Sequence, residues 1–406
     1  MEPADRPGRR PAPLPTAVRR ARWAILAAFF IHGAVFASWV PLIPAVQQAL
    51  GLSASALGLA LLATAVGSLL TMPLTGRLIA RRGSRWAVRV LGLAYCATLA
   101  LPVLAPSLPT LVLALLVFGA AQGASDVAIN AQGVAVEARW GRPLLSSLHG
   151  LWSLGAAGGA AASGLLATAG LAPLPRVLVP ALLLGGALAL VARSLLEHRA
   201  ALAAPGRALA RPTRALLALG LIGICAYLAE GAIGDWSAVY LRRGLGASAG
   251  LAAAGYAAFT LCMTLGRLAG DYATARLGPV RLVRGGGELL ALGLGLALLS
   301  GQTGATLSGF ALIGLALANV VPLVFSAAGK TPHLAPGAGV AAVGTAIYVG
   351  ILLGPPLIGV TADHLTLRGA LGLVVLLGVA IALLAPAVAP AAARAGETPP
   401  GPDQRR

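Results

Sequence analysis

Apolar residues run through this chain in long blocks separated by short polar turns. Twelve blocks lie at 22–44, 55–79, 86–105, 108–136, 146–169, 175–195, 214–241, 250–274, 281–300, 304–328, 337–361 and 368–390. Each approaches the ~20 residues that a helix needs to cross a bilayer core. A design of few membrane helices plus a water-soluble domain finds no polar stretch to occupy. The longest polar segments are residues 1–21, the loop 196–213 and the tail after Pro390. The expected fold is an all-α polytopic membrane protein with twelve transmembrane helices. Its parts are a basic tail (1–21), a six-helix bundle (22–195), a linker (196–213), a second six-helix bundle (214–390) and a disordered tail (391–406).

A second pattern divides the chain into two halves about 195 residues apart. Arg81, Gly83, Arg89 and Gly92 recur as Arg276, Gly278, Arg284 and Gly287. Leu50, Gly51 and Ser53 recur as Leu245, Gly246 and Ser248, and Gly155, Gly159 and Gly164 as Gly350, Gly354 and Gly359. With a small drift, Gly33 and Trp39 match Gly231 and Trp236. Glycine is 53 of 406 residues, so the Arg, Ser and Trp matches carry the inference. A same-direction repeat in so apolar a chain predicts two pseudo-symmetric membrane halves. The glycine runs on the fifth and eleventh blocks predict close helix packing, because lipid offers no hydrophobic drive between helices.

Composition agrees with the pattern: 58% of residues are hydrophobic, 10% are charged, and mean hydropathy is +0.86. The net charge of +18 raises nucleic acid as a partner, but its distribution excludes that reading. With twelve spans, only Arg176, Arg242, Arg243 and Arg368 of the 30 lysines and arginines fall on one side. The positive-inside rule then puts both termini in the cytoplasm of a bacterial inner membrane. The tail bearing Arg6, Arg9, Arg10, Arg19, Arg20 and Arg22 reads as an orientation signal, not a cleaved leader. Cys96, Cys225 and Cys262 are scattered within spans without ligand spacing, so no metal and no cofactor are expected.

The inner loop after the second span reads GRLIARRGSR (76–85), and its counterpart reads GDYATARLGPVR (270–281). These loops resemble the signature of the major facilitator superfamily. The resemblance implies alternating access around a central cavity, with the loop charges forming a cytoplasmic gate between bundles. Gly76, Arg81, Gly83 and Arg85 match the first copy, and Arg267, Asp271 and Arg276 supply charges in the second. Ala80 stands where the family has an acidic residue, so the gate is expected to be incomplete there.

Ionisable groups inside lipid cost a few kcal/mol each on insertion scales, which makes each one a functional candidate. Asp126 lies within the fourth span on a stripe with Gly119, Gly123, Asn130 and Gly133, spaced to share one helix face. A carboxylate withdrawn from water binds a proton more readily, so it suits proton coupling; the alternative is a structural carboxylate paired with a neighbour. The run GASDVAIN (123–130) resembles the fourth span of fucose-permease-like members, where the resemblance gives Asp126 and Asn130 a part in proton coupling. LHGLWSLGA (148–156) resembles that branch's fifth span, with His149 at a substrate-contacting position, and ANVVPLVFS (318–326) its tenth. Trp39 and Val40 replace a first-span carboxylate of the sugar/proton symporters, which puts both a sugar substrate and symport in question.

Glu230 and Asp235 add charges within the seventh span, and the drifted repeat sets His32 opposite Glu230. A His–carboxylate couple could relay protons or hold a substrate; the alternative is an interbundle hydrogen bond. Trp39, Trp152 and Trp236 could stack on a ligand ring, or Trp39 and Trp236 could anchor at the outer interface. Asn319 and Tyr348 complete the candidate set. The function expected is secondary active transport of a small polar solute, such as a sugar or related metabolite, by a monomeric carrier coupled to protons. Efflux antiport is the alternative, although residues 155–164 lack the proline of the antiporter signature. A membrane-embedded sensor or enzyme is a remote third, since no signalling domain, nucleophile or metal cluster is visible.

Overall fold

The structure is a computed structural model that describes residues 16–141, 144–198, 213–331 and 338–389. All regular structure among these residues is helical. We label the principal helices α1 (Thr16–Ala49), α2 (Ala54–Arg82), α3 (Ser84–Leu104), α4 (Leu108–Trp140), α5 (Leu145–Thr168) and α6 (Pro173–Ser194). The second half follows with α7 (Arg214–Gly244), α8 (Ala249–Leu268), α9 (Pro279–Ser300), α10 (Thr303–Gly329), α11 (Ala338–His364) and α12 (Leu367–Val388). Eleven of the twelve are long and apolar enough to cross a membrane. The remaining one, α5, has 24 residues, and its Gly, Ser and His content lowers its hydropathy. Large apolar side chains such as Leu182, Leu299 and Leu383 stand about three-quarters exposed on outer helices, where lipid would cover them.

Most expected spans match these helices within a few residues, with two differences. The segment expected as a tail to residue 21 is already helical from Thr16. The block at 250–274 breaks at Ala269, and a separate short helix (Gly270–Leu277) leads to Gly278. Gly83 and Gly278 share an unusual backbone, φ 86° with ψ 154° and φ 76° with ψ 158°. A side chain is strained at positive φ, so both copies of the loop need glycine there. Residues 1–15, the linker at 199–212 and the tail from 390 lie outside the described residues.

Packing repeats as the sequence does. The contacts α1·α5, α2·α4 and α3·α6 in one half recur as α7·α11, α8·α10 and α9·α12 in the other. Across the halves, α5 meets α8 and α11 meets α2. The paired glycines divide between these jobs. A Cβ on Gly155 would lie 2.0 Å from the Phe30 carbonyl oxygen on α1, and one on Gly350 2.7 Å from that of Ile224 on α7. Gly164 and Gly359 instead face the opposite half, toward Ala253 on α8 and the Ala54 carbonyl on α2.

Most of the arginines gather at one end of the molecule, around Arg81, Arg85, Arg193 and Arg276, which we call the arginine-rich end. At the opposite, arginine-poor end the halves touch at backbone level: a Cβ on Gly58 would lie 2.5 Å from the Pro355 carbonyl and one on Gly359 2.4 Å from that of Ala54. Trp39 and Trp236 are 3% and 0% exposed, so neither serves as an interfacial anchor or a ligand-stacking ring here. Trp236 packs within the apolar core instead.

Repeat-matched glycines differ in what they face, and this generates a test. Gly159→Ala, at the repeat match of Gly354, must push the α1 backbone at Ala34 aside and is expected to destabilise by about 1–3 kcal/mol. Gly354→Ala meets nothing within 4 Å and is expected to stay within about 0.5 kcal/mol of the parent. Thermal unfolding of the purified proteins in detergent measures both.

Candidate functional site

The half-buried polar groups of the interior converge where α4, α5, α7 and α8 face each other. Asp126 sits midway along α4, and its helix-mate Asn130 donates through Nδ2 to the Asp126 carbonyl at 2.9 Å and to Oδ1 at 3.3 Å. This i, i+4 pair is the pairing with a neighbour that the sequence offered as the structural alternative to proton coupling. The glycines of its stripe face elsewhere: Gly119 and Gly123 admit the backbone of α2 at Thr64 and Ser68. Ser68 and Thr71 then donate to the Gly119 and Ala120 carbonyls at 2.7 and 2.9 Å.

Glu230 and Asp235 lie on α7, half-buried, with no hydrogen bond or ion pair to any described residue. Neither they nor Asp126 has an oxygen that is both sealed off and unpartnered. Their free oxygens therefore open onto space that water or a ligand can enter.

Arg267 links the two halves. It is rooted at the arginine-rich end of α8, yet its Nη1 donates to Ser153 Oγ on α5 at 2.8 Å. Ser153 is one turn from His149, and Arg267 lies within electrostatic reach of both His149 and Glu230. His149 in turn lies within reach of Asp126. The resemblance placed Arg267 in a loop gate; the structure turns its guanidinium onto Ser153 of α5.

The repeat reproduces this contact with different chemistry. One repeat length from Ser153 and Arg267 stand Tyr348 and Met72, and Tyr348 Oη donates to Met72 Sδ at 3.4 Å. The same two register positions thus bridge the halves twice, once through a charge and once through a soft neutral pair. Both bridges are made by side chains alone, unlike the backbone contacts at the arginine-poor end.

His32 belongs to a different group than expected. Trp152 Nε1 donates to His32 Nδ1 at 2.9 Å, and His32 Nε2 faces the Gln122 carbonyl at 3.4 Å. Indole N–H is only a donor, so Nδ1 is the acceptor and the ring is the neutral Nε2–H tautomer. Both nitrogens are committed within the first half, and His32 is neither hydrogen-bonded nor ion-paired to Glu230. The register explains the error. Gly155 crosses α1 at Phe30 and Gly350 crosses α7 at Ile224, an offset of 194 that matches His32 with Ala226, a turn from Glu230.

Other expected residues have structural posts. Asn319, at a break in α10, donates to the Gly266 carbonyl at 2.9 Å, and Gly270 leaves room for its side chain. Arg85 bonds Glu197 at 3.3 Å and the Arg193 carbonyl at 2.7 Å, which ties the loop to the end of α6 in its own half. Arg276 stacks on Tyr272, Arg81 is exposed, and Gly76 faces open space. The side chain of Asp271 lies outside the described residues. Sequence reasoning overlooked Ser153 and Asp363; only the repeat register, pairing 153 with 348, pointed to the first.

The fold, its repeat and this membrane-embedded polar cluster narrow the family, and sequence comparison settles it. The sequence profile of the Major Facilitator Superfamily matches residues 25–338. The chain belongs to the major facilitator superfamily. It is 40% identical over 361 residues to an uncharacterised MFS-type transporter of Yersinia pestis, covering 89% of this chain and 94% of that one. Membrane protein MosC of Rhizobium meliloti is 33% identical over 369 residues, covering 88% of each chain. Among solved structures, the nucleoside transporter NupG superposes with a TM-score of 0.67 at 14% identity, covering 91% of this chain and 98% of that chain. That likeness concerns the fold alone. This facilitator is accordingly an integral membrane transporter for a small molecule.

The Trp152–His32 bond is open to a direct check. Trp152→Phe keeps an aromatic ring but removes the pyrrole N–H, leaves a buried Nδ1 without its donor, and is expected to cost roughly 1–3 kcal/mol or more in unfolding. Nitrogen NMR of labelled histidine is expected to show His32 as the neutral Nε2–H tautomer in the parent. A doubly protonated ring would contradict the assignment.

Proposed function

We propose that this facilitator moves a small polar solute across the bacterial inner membrane by alternating access, coupled to protons through Asp126. The observation that carries this reading is the set of carboxylates in the membrane interior, Asp126 in one half and Glu230 and Asp235 in the other, none in a direct salt bridge. Charges held so deep are costly unless used. A carboxylate that alternately binds a proton and faces Asn130 and His149 gives the two states different energies, which is what coupling requires.

Arg267 is the switchable element of this cycle. Its bond to a neutral hydroxyl leaves donors free for the solute or for Glu230, so occupancy of the cavity feeds back on a contact between the halves. Tyr348 and Trp152 offer ring edges and a hydroxyl for a polar ring. The motif at 123–130 favours a fucose-permease-like carrier, and the neighbouring fold adds nucleosides to the solutes worth screening. Efflux antiport stands as the second reading, supported by Trp39 and Val40 in place of the symporters' first-span carboxylate.

The skewed arginine distribution supports a cytoplasmic arginine-rich end. On that orientation the termini are cytoplasmic and the present state is closed to the outside. The reading takes the carrier as a monomer. Arg81, Arg276 and Asp271 are then the loop gate for the opposite state.

A thermal-shift screen of sugars, polyols and nucleosides on purified protein identifies a ligand, followed by uptake into proteoliposomes with and without a proton gradient. Asp126→Asn is expected to reduce gradient-driven accumulation to the level without a gradient, while solute exchange down its own gradient persists. Full gradient-driven accumulation in Asp126→Asn would remove the proton assignment.

A further inference from the structure

The last turn of α11 carries an acidic residue that the transport reading leaves unused. Asp363 reaches across to the other half and accepts from the first two amides of α2: Ala54 N to Oδ1 at 2.9 Å and Ser55 N to Oδ2 at 2.9 Å. The two partners are 309 and 308 residues away in the chain. A helix start leaves four amides without partners in its own helix. At α2, Ser53 satisfies Ala56 N through its hydroxyl, and its carbonyl accepts the first ladder bond of the helix, from Leu57 N. The unpartnered Ala54 and Ser55 amides are satisfied by a carboxylate from the opposite bundle, where the helix dipole favours negative charge.

The repeat shows that this is an addition to the scaffold and not part of it. The matching helix, α8, is capped by Ser248 in the same way, with its hydroxyl accepting from Leu251 N. The position matching Asp363 is Thr168, whose methyl packs where a Cβ on Gly250 would sit, at 2.5 Å. One side of the arginine-poor seam is thus closed by close packing alone. The other combines packing, at Gly58, Pro355 and Gly359, with a two-pronged charged bond.

We propose that Asp363 is a latch that holds the arginine-poor end shut. The inference rests on the alternating-access reading, because a latch matters only if α2 and α11 part at this end. When they part, the Ala54 and Ser55 amides and Asp363 all turn to water. The bond therefore exists in one state only and weights the equilibrium toward it. Charge-assisted bonds at an exposed helix start shift an equilibrium on the order of three- to tenfold.

The test uses full-length protein with Cys96, Cys225 and Cys262 replaced, spin-labelled at Gln48→Cys and Arg243→Cys, both exposed at this end in opposite halves. Pulsed electron–electron spectroscopy in lipid nanodiscs reads the distance distribution. Asp363→Ala is expected to move population three- to tenfold from the short distance to the long one, with Asp363→Asn between it and the parent. Thermal unfolding separates latch from scaffold: the latch predicts a shifted distribution at nearly unchanged stability. A distribution unchanged in both variants overturns the latch, including the case where Asp363→Ala unfolds more easily and the labels do not move. Proteoliposome transport by the unlabelled parent tests alternating access separately, so failure of the latch leaves that reading standing.

Discussion

Everything in this molecule depends on helices approaching backbone to backbone in a solvent that gives them no hydrophobic reason to do so. Lipid tails solvate leucine as well as another helix does, so association must come from contact area and hydrogen bonds. Glycine supplies the contact. At Gly67, Gly119, Gly155 and Gly314 a neighbouring carbonyl oxygen occupies the place of the missing Cβ. The same device joins the halves at Gly58 and Gly359, while at Gly164 the Ala253 methyl fills that place. Within each half the contacts are many and back one another. Between the halves, the backbone contacts recorded cluster at one end, leaving side-chain bridges nearer the other.

On the alternating-access proposal, that asymmetry suits the scaffold to a carrier. A seam tight at one end and bridged at the other can close the bridged end only by loosening the tight one, if each half stays rigid. The interior between the halves holds groups that the repeat does not duplicate: Asp126 matches Val321, His149 matches Gly344, and the Arg267–Ser153 bridge matches Met72–Tyr348. Duplication produced the frame, and divergence between the copies produced charges inside it. Asp363 extends the same logic to the rim, where its counterpart is a threonine.

The helices and the two halves were legible because both are written in local terms: apolar run length, glycine at the Gly83 and Gly278 turns, serine caps at Ser53 and Ser248. Asp126 stood out too, since an acid within an apolar run is costly there, and the structure sets it beside Asn130. What escaped was partner choice. Trp39 and Trp236 look like interface residues by position, yet burial is set by the neighbours' shapes. Asn319 reads as a cavity amide until a break in α10 aims it at Gly266. His32 was misassigned because a drift inferred from glycine and tryptophan matches exceeded the real offset. Asp363, beside His364 at a helix end, resembles any solvated interfacial acid, and nothing near it in sequence announces amides some 309 positions away.

On the alternating-access proposal, transport requires the glycine-packed seam at the arginine-poor end to open. On a background lacking native cysteines, Thr168→Cys and Gly250→Cys place two thiols across that seam. Oxidation is expected to crosslink them in high yield, the crosslinked carrier to neither accumulate nor exchange solute in proteoliposomes, and reduction to restore both. A fully crosslinked carrier that still transports would show that the halves need not part there, and would contradict the account.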